Sequence, residues 1–146
     1  MVISHTAMQL LEQQTLDGGV SADVLMEGVG AKLARCISQF FPQPGLLVCY
    51  AGKGHNAGDA FVAARHLVPL GWKVLVRLPF NPGELAPLSR AKLDLLPPNL
   101  LAEPLEPATP QAGPLVQLDA LVGLGASGPL RAPLSALAAE MNSLRR

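Results

Sequence analysis

Apolar residues recur along this chain at two spacings, and the switches between them mark alternating helices and strands. Ser4 is placed to cap a first helix running to about Leu16, which Gly18 and Gly19 end. Ser21 caps a second, about Ala22 to Phe41, in which Leu25, Val29, Leu33, Cys36, Ile37 and Phe40 return every three or four residues as one apolar stripe. Gly28 and Gly30 weaken a helix interior, so close backbone packing is expected there. Pro42 and Pro44 stop it. Leu46 to Tyr50 is a continuous apolar run of strand length, and Trp72 to Leu78 alternates and is rich in β-formers. The segment between them predicts a helix from about Asp59 to Leu70, with Phe61, Ala64 and Leu67 inward and Gly71 closing it. Strand, helix, strand gives a right-handed parallel crossover.

Glu84 to Leu96 predicts a further helix. Between 97 and 114 six prolines leave room only for brief regular structure, with a short strand expected near Leu100 to Leu105 on a surface connection. Leu115 to Val122 reads as the next strand, and Pro133 sits near the start of a last helix, about Leu134 to Leu144. The pattern as a whole is α/β, a mainly parallel sheet between helices. In a doubly wound sheet a helix crosses into a further parallel strand. No residues follow the last helix to supply one, so the last strands are expected to be missing and the single domain, residues 1–146, to be incomplete at its C-terminus.

Composition narrows the classes. At 146 residues the chain fits one domain able to bury roughly two thirds of its unfolded surface. Lys plus Arg and Asp plus Glu number 11 each, so the net charge is zero. That balance lacks the basic field of a nucleic-acid binder and suits a small neutral partner. Cys36 on a helix-like face and Cys49 within a strand suit reduced, buried thiols. The N-terminus lacks a cationic start, Glu12 interrupts the apolar residues around it, and no run reaches membrane-spanning length. The expectation is a cytoplasmic protein with no membrane partner.

Two glycine-rich loops carry the candidate chemistry. Gly52-Lys53-Gly54-His55-Asn56-Ala57-Gly58-Asp59 follows the first strand, and Gly123-Leu124-Gly125-Ala126-Ser127-Gly128 follows the strand ending at Val122. Glycine admits a close anion, and the helix behind it offers unpaired N–H groups and a positive dipole end. The first loop fits the G-x-G-x-x-A variant of the dinucleotide fingerprint but lacks its acidic ribose partner. Arg77, near the end of the following strand, is either a solvated edge residue or a 2′-phosphate ligand. No G-K-[ST] occurs, which excludes Walker A. If the two strands before the loops lie side by side, both loops line one crevice.

Among the carboxylates, Asp59 is expected at a helix N-terminus, as a cap, a dipole partner or a site residue. Asp119 lies in an otherwise apolar strand, where a buried carboxylate needs a cation, a backbone amide or a ligand. Asn56 can add an oxygen to the same hard-cation site. His55 is a solvent-facing loop residue, a phosphate donor or a proton carrier. His5 and His66 read as surface or packing residues, and no pair has zinc-ligand spacing.

The first loop, with Ala63-Ala64-Arg65-His66-Leu67 after it, resembles the signature of the NAD(P)H-hydrate epimerases, the YjeF N-terminal domain family. Leu25-Met26-Glu27-Gly28-Val29-Gly30 is similar to that family's LME-x-AG helix, and Asp119-Ala120-Leu121-Val122-Gly123-Leu124-Gly125 to its DALFGTG strand and loop. The resemblance implies a Rossmann-like three-layer α/β/α sandwich. It implies interconversion of the R and S epimers of NADH or NADPH hydrated on the nicotinamide ring, NADHX and NADPHX, so that a dehydratase, fused or separate, can act on the S form. His55, Asn56, Ala57, Gly58 and Asp59 would line the substrate site together with Gly123, Leu124, Gly125, Ala126, Ser127, Gly128 and Pro129. Asn56 and Asp119 would hold a potassium ion, and Asp59 or His55 would carry the proton.

Three positions depart from the family loop GNNGGDG: His55 replaces the first Asn, Ala57 the first paired glycine, and Ala60 the glycine after the aspartate. An alanine where positive φ or close approach is needed costs on the order of 1 kcal/mol. The family's VD-[IL]-P-[ST]-G segment, with a catalytic aspartate and a further potassium ligand, has no counterpart here. Those departures favour a non-catalytic binding or scaffold domain, like the mRNA-decapping scaffold relatives of the family. Asn56, Asp59 and Asp119 favour the enzyme, and both readings stand at this point. A strand edge left unpaired favours self-association, which keeps a homodimer among the expected partners.

Overall fold

The computed structural model describes residues 3–101 and 113–144. Along them run α1 (His5–Asp17), α2 (Ala22–Phe40), β1 (Leu46–Ala51), α3 (His55–Leu67), β2 (Lys73–Arg77), α4 (Pro87–Leu93), β3 (Leu115–Ala120) and α5 (Leu134–Ser143). The sheet has the order β2-β1-β3 and is parallel throughout, with Leu46 of β1 opposite Lys73 of β2 and Leu115 of β3. Every residue of β1 is buried, which is why its run is apolar on both faces. Leu47, Cys49 and Ala51 join the core under α2 and α3, whereas Leu46, Val48 and Tyr50 join the core under α5. The result is the three-layer α/β/α arrangement expected, with the first and third strands side by side.

Ser4 and Ser21 act as the predicted caps: their hydroxyls accept from Ala7 N and Val24 N, each at 3.2 Å. The buried face of α2 differs from the expected stripe. Met26, Gly30, Ala34 and Ile37 turn inward, while Val29, Cys36 and Phe40 are exposed. Small residues decide this, because a helix packs most closely on the side with least bulk. A Cβ on Gly30 would fall 2.4 Å from Val62 Cβ and 2.8 Å from Asp59 O, so the backbones of α2 and α3 are in near contact there. Gly28 has open space around it and serves no such contact. Cys49 is buried and Cys36 exposed, and both are free thiols; burial pushes the Cys49 thiol up to about 12.

Helix α3 begins at His55, four residues before the expected start, because Gly54 takes the extended N-cap conformation and the chain turns helical at once. Gly71 closes the segment in the left-handed region at φ +87°, after a 3₁₀ turn at Val68–Leu70. The helix expected over Glu84 to Leu96 is divided. Asn81 and Glu84 form a capping box around a 3₁₀ turn at Pro82–Glu84, and α4 starts afresh with Pro87 in its first turn. Of the short strand expected near Leu100 to Leu105, Leu100 instead ends a 3₁₀ turn at Pro98–Leu100, Leu101 forms an isolated parallel bridge to Val76, and 102–105 lie outside the described residues.

Arg77 is neither a solvated edge residue nor turned toward a phosphate. Its Nε and Nη2 donate to the two Glu140 carboxylate oxygens at 2.8 Å each, and Tyr50 OH donates to Oε1 at 3.3 Å. Both charged side chains are only 12% exposed. This bidentate pair fixes α5 against the sheet.

Candidate active site

Both glycine loops leave the C-terminal ends of adjacent strands and are tied to each other. Gly52 N donates to Ala120 O at 2.9 Å, and Asn56 Nδ2 donates to Val122 O at 2.9 Å. A Cβ at position 52 would stand 1.9 Å from Leu121 O, so only glycine lets the two chains come this close. On its other side the first loop is held by the start of α4: Ala86 N donates to Lys53 O at 2.8 Å and the Ser89 hydroxyl to Gly54 O at 2.9 Å. The loop is therefore fixed from two directions, and Gly54 at its end takes the extended N-cap position of α3.

The candidate residues divide by exposure. His55 is exposed, Asn56 and Asp59 are partly buried, and Ala57 and Gly58 are buried. The side chain of Ala57 belongs to the core beneath α3 rather than to the cleft. Gly123, Leu124, Gly125, Ala126, Ser127, Gly128 and Pro129 are all exposed. Ala126 N donates to Gly123 O at 3.1 Å, and Gly128 has φ +77°; Ala126, Ser127, Gly128 and Pro129 wall an open groove of about 850 Å³, which Gly123, Leu124 and Gly125 do not line. Lys53, Phe80 and Arg131 line the same groove. Lys53 Nζ pairs with Glu84 at 2.6 Å and lies 4.4 Å from the centre of the Phe80 ring.

Asp119 is not the buried carboxylate its apolar strand suggests. It is exposed, because β3 is flanked by β1 on one side only among the described residues, and its Oδ1 accepts from Leu121 N at 3.0 Å. Of the three partners considered for it, the backbone amide is the one observed. Asn56 meets the same stretch of chain at Val122, three residues after Asp119, so both oxygen-bearing side chains adjoin the end of β3.

The early start of α3 moves Asp59 away from the helix N-terminus and into its second turn. There it lines a cavity of about 420 Å³ walled by α1, α2 and α3, shared with His55 and with Glu12 from α1. Burial pushes its carboxyl up to about 6, the negative charge of Glu12 pushes the same way, and His55 opposes both. The contribution of α1 has no motif behind it in the sequence. Glu12 interrupts an apolar stretch, and that interruption was its only signal. His5, expected as a surface or packing residue, is exposed and hydrogen-bonds through its ring Nε2 with the carbonyl of Leu124 in the second glycine loop.

Two departures from the family loop carry no backbone cost. Ala57 and Ala60 lie inside α3 with helical backbone, and among the described residues no non-glycine residue has positive φ. At helical positions alanine is preferred over glycine by about 1 kcal/mol. Among the described residues no group of three or more His, Cys, Asp and Glu side chains converges as a metal site, and no helix is long and apolar enough to cross a membrane.

Comparison with known proteins places this architecture. Residues 22–146 match the family model described as "YjeF-related protein N-terminus". The "Bifunctional NAD(P)H-hydrate repair enzyme Nnr" of Gloeobacter violaceus is 33% identical over 149 residues, covering 97% of this chain and 28% of that protein. The "NAD(P)H-hydrate epimerase" of Rhodobacter capsulatus is 32% identical over 137 residues, covering 88% of this chain and 65% of its own length. That of Mycosarcoma maydis is 34% identical over 148 residues, covering 94% and 54%. This chain thus spans about a quarter of the bifunctional relative and between half and two thirds of the two epimerases. With the family match running over the glycine loops, the sheet and the helices that carry them, the chain belongs to the YjeF-related protein N-terminus family.

Proposed function

We propose that this chain takes part in nicotinamide nucleotide repair by epimerising NADHX and NADPHX at C6 of the hydrated ring. The observation that carries the reading is the junction of the two glycine loops, with Asp59 one helical turn behind the first of them. Glycine backbone and the N-terminus of α3 suit the phosphates of a dinucleotide. His55, Asn56, Gly58 and Asp59 would line the site from the first loop, Ala57 through its backbone, and Gly123 to Pro129 from the second.

The chemistry asked of Asp59 is proton delivery. Its carboxyl, raised to about 6 by burial, is a donor near neutral pH. A proton passed to the C6 hydroxyl lets the C–O bond break and water leave, while the lone pair of the ring nitrogen closes a C=N bond. Water returning to the other face restores the hydroxyl with opposite configuration and hands the proton back to the carboxylate. His55, exposed at the first position of α3, is the second proton carrier in the proposal.

Asn56 and Asp119 would hold potassium. Carboxylate and amide oxygens are the donors a hard cation takes, and the amide of Asn56 already donates through its nitrogen, so its oxygen is the remaining end. When bound, the ion would supply a fixed positive charge beside the loops. A dehydratase, fused or separate, would consume the S epimer, and the setting proposed is the cytoplasm.

The test follows (6R)-NADHX to (6S)-NADHX by chromatography, with protein and potassium, against a protein-free control and Asp59→Ala. Acceleration that Asp59→Ala abolishes is the expected result. A rate equal to the spontaneous background overturns the proposal.

A further inference from the structure

The groove beside the second glycine loop and the cavity behind Asp59 share no lining residue, and they differ in charge. The groove has Lys53 and Arg131 on its rim, whereas the cavity has Glu12 and Asp59 as its acidic groups. The groups facing Asp59 can be named element by element. Helix α1 brings Glu12, α3 brings His55, and α2 and the Leu88 turn of α4 bring only apolar side chains such as Met26, Val29 and Leu88 itself. An anion entering this cavity would meet two carboxyl groups among mostly apolar walls, with His55 the one basic side chain in the lining, at a cost that grows as water is excluded. Phosphates are thus directed to the glycine loops, and the uncharged end of a ligand to the cavity.

We propose that Glu12 is a positioning residue of the site: it acts through Asp59, with which it shares an apolar cavity that takes an uncharged, hydroxylated ring. This rests on the epimerase reading for the identity of the ring, though not for the pairing of the two carboxyl groups. A negative charge lining the same cavity disfavours ionisation of a second carboxyl group there. Asp59, the more buried of the two, is pushed up by burial first and then by Glu12. Helix α1 is tied to the second glycine loop by His5 on the Leu124 carbonyl, and Glu12 lines the cavity from the same helix.

The experiment is a carboxyl-carbon NMR titration of Asp59 in the intact chain and in Glu12→Gln, run beside the pH–rate profile for NADHX. Glu12 is exposed on a helix that buries no residue, so the variant keeps its fold. The expected result is a fall of the Asp59 midpoint by about one pH unit, the size of a single like-charge effect, with the alkaline limb of the rate profile moving down by the same amount. kcat should fall more than KM rises at neutral pH, and Glu12→Asp should restore the midpoint. An Asp59 midpoint unchanged in Glu12→Gln overturns the proposal. The titration needs no turnover, so a midpoint that moves in a chain without epimerase activity would sink the function while leaving Glu12's role intact.

Discussion

Helices α1 and α3 are each 13 residues long and are used in opposite ways. α3 buries eight residues, from Ala57 to Leu67, and α1 buries none. α3 lies between α2, α4 and the sheet, and its buried face is four alanines and Gly58 with Phe61, Val62 and Leu67, mostly small side chains that fit where little room is left. α1 lies outside that sandwich and keeps Leu10 and Leu11 half exposed. Yet each contributes a carboxyl group to the same cavity, Asp59 from the rigid helix and Glu12 from the peripheral one. Position and electrostatic environment are thereby separated: the core fixes where the Asp59 carboxyl stands, and the charge of Glu12 on the peripheral helix pushes it further up.

The largest effect is expected where α3 meets α2. Gly30→Ala puts a Cβ 2.4 Å from Val62 Cβ and 2.8 Å from the Asp59 carbonyl, and a backbone oxygen inside a helix has nowhere to retreat. We expect a loss of about 2–3 kcal/mol in urea unfolding, the range of overpacked cores, and reduced function because Asp59 shifts with its carbonyl. Loss below about 0.5 kcal/mol would mean that the two helices can separate without cost, and the contrast with α1 would shrink accordingly.

A smaller and pH-dependent effect is expected at Asp59 itself. Burial raises its carboxyl from 3.8 to about 6, so the folded chain binds this proton more tightly than the unfolded chain. The stabilisation is therefore fully present below about pH 4 and is lost as the pH rises through about 6. Asp59→Asn removes that loss and should be the more stable protein at about pH 8, by about 1–2 kcal/mol once partial solvent screening is allowed for. Thermal melts of both proteins across that window measure it. A variant that melts below the parent at high pH would show that the carboxylate is paired in the folded state.

Much of this was legible in the sequence. Both serine caps, the order of helices and strands, the side-by-side placement of the two strands before the glycine loops and the junction of those loops follow from local pattern and from parallel topology. What was not legible depends on tertiary choices between neighbours. The inward face of α2 is set by where Gly30 and Ala34 allow approach, and counting apolar residues points to the wrong side. The start of α3 at His55 hangs on Gly54 adopting an extended cap, which moves Asp59 by one turn. Asp119 looks buried in a run of apolar letters because the letters do not say which strand is flanked on one side. Glu12, His5 and the Arg77–Glu140 pair are joined to their partners across 47, 119 and 63 positions of chain, distances over which sequence spacing carries no signal.

The smallest effect is the one that tests whether α1 is as separate from the core as its exposure implies. Ser4→Ala removes the hydroxyl that accepts from Ala7 N at 3.2 Å, a cap worth about 1 kcal/mol to the helix it starts. If α1 opens alone, that sum is charged to a local equilibrium: its amides should exchange with deuterium roughly five-fold faster, while those of α3 and the urea midpoint stay where they were. Equal acceleration in α1 and α3 would mean that the two helices unfold as one unit and that their difference in burial has no energetic counterpart. With faster opening, Glu12 spends less time over the cavity and His5 less time on the second loop, so the Asp59 midpoint should drift down slightly. The drift is bounded by the small fraction of molecules in which α1 is open, which is why stability of this peripheral helix, rather than any added contact, limits how constant the proton affinity of the site can be.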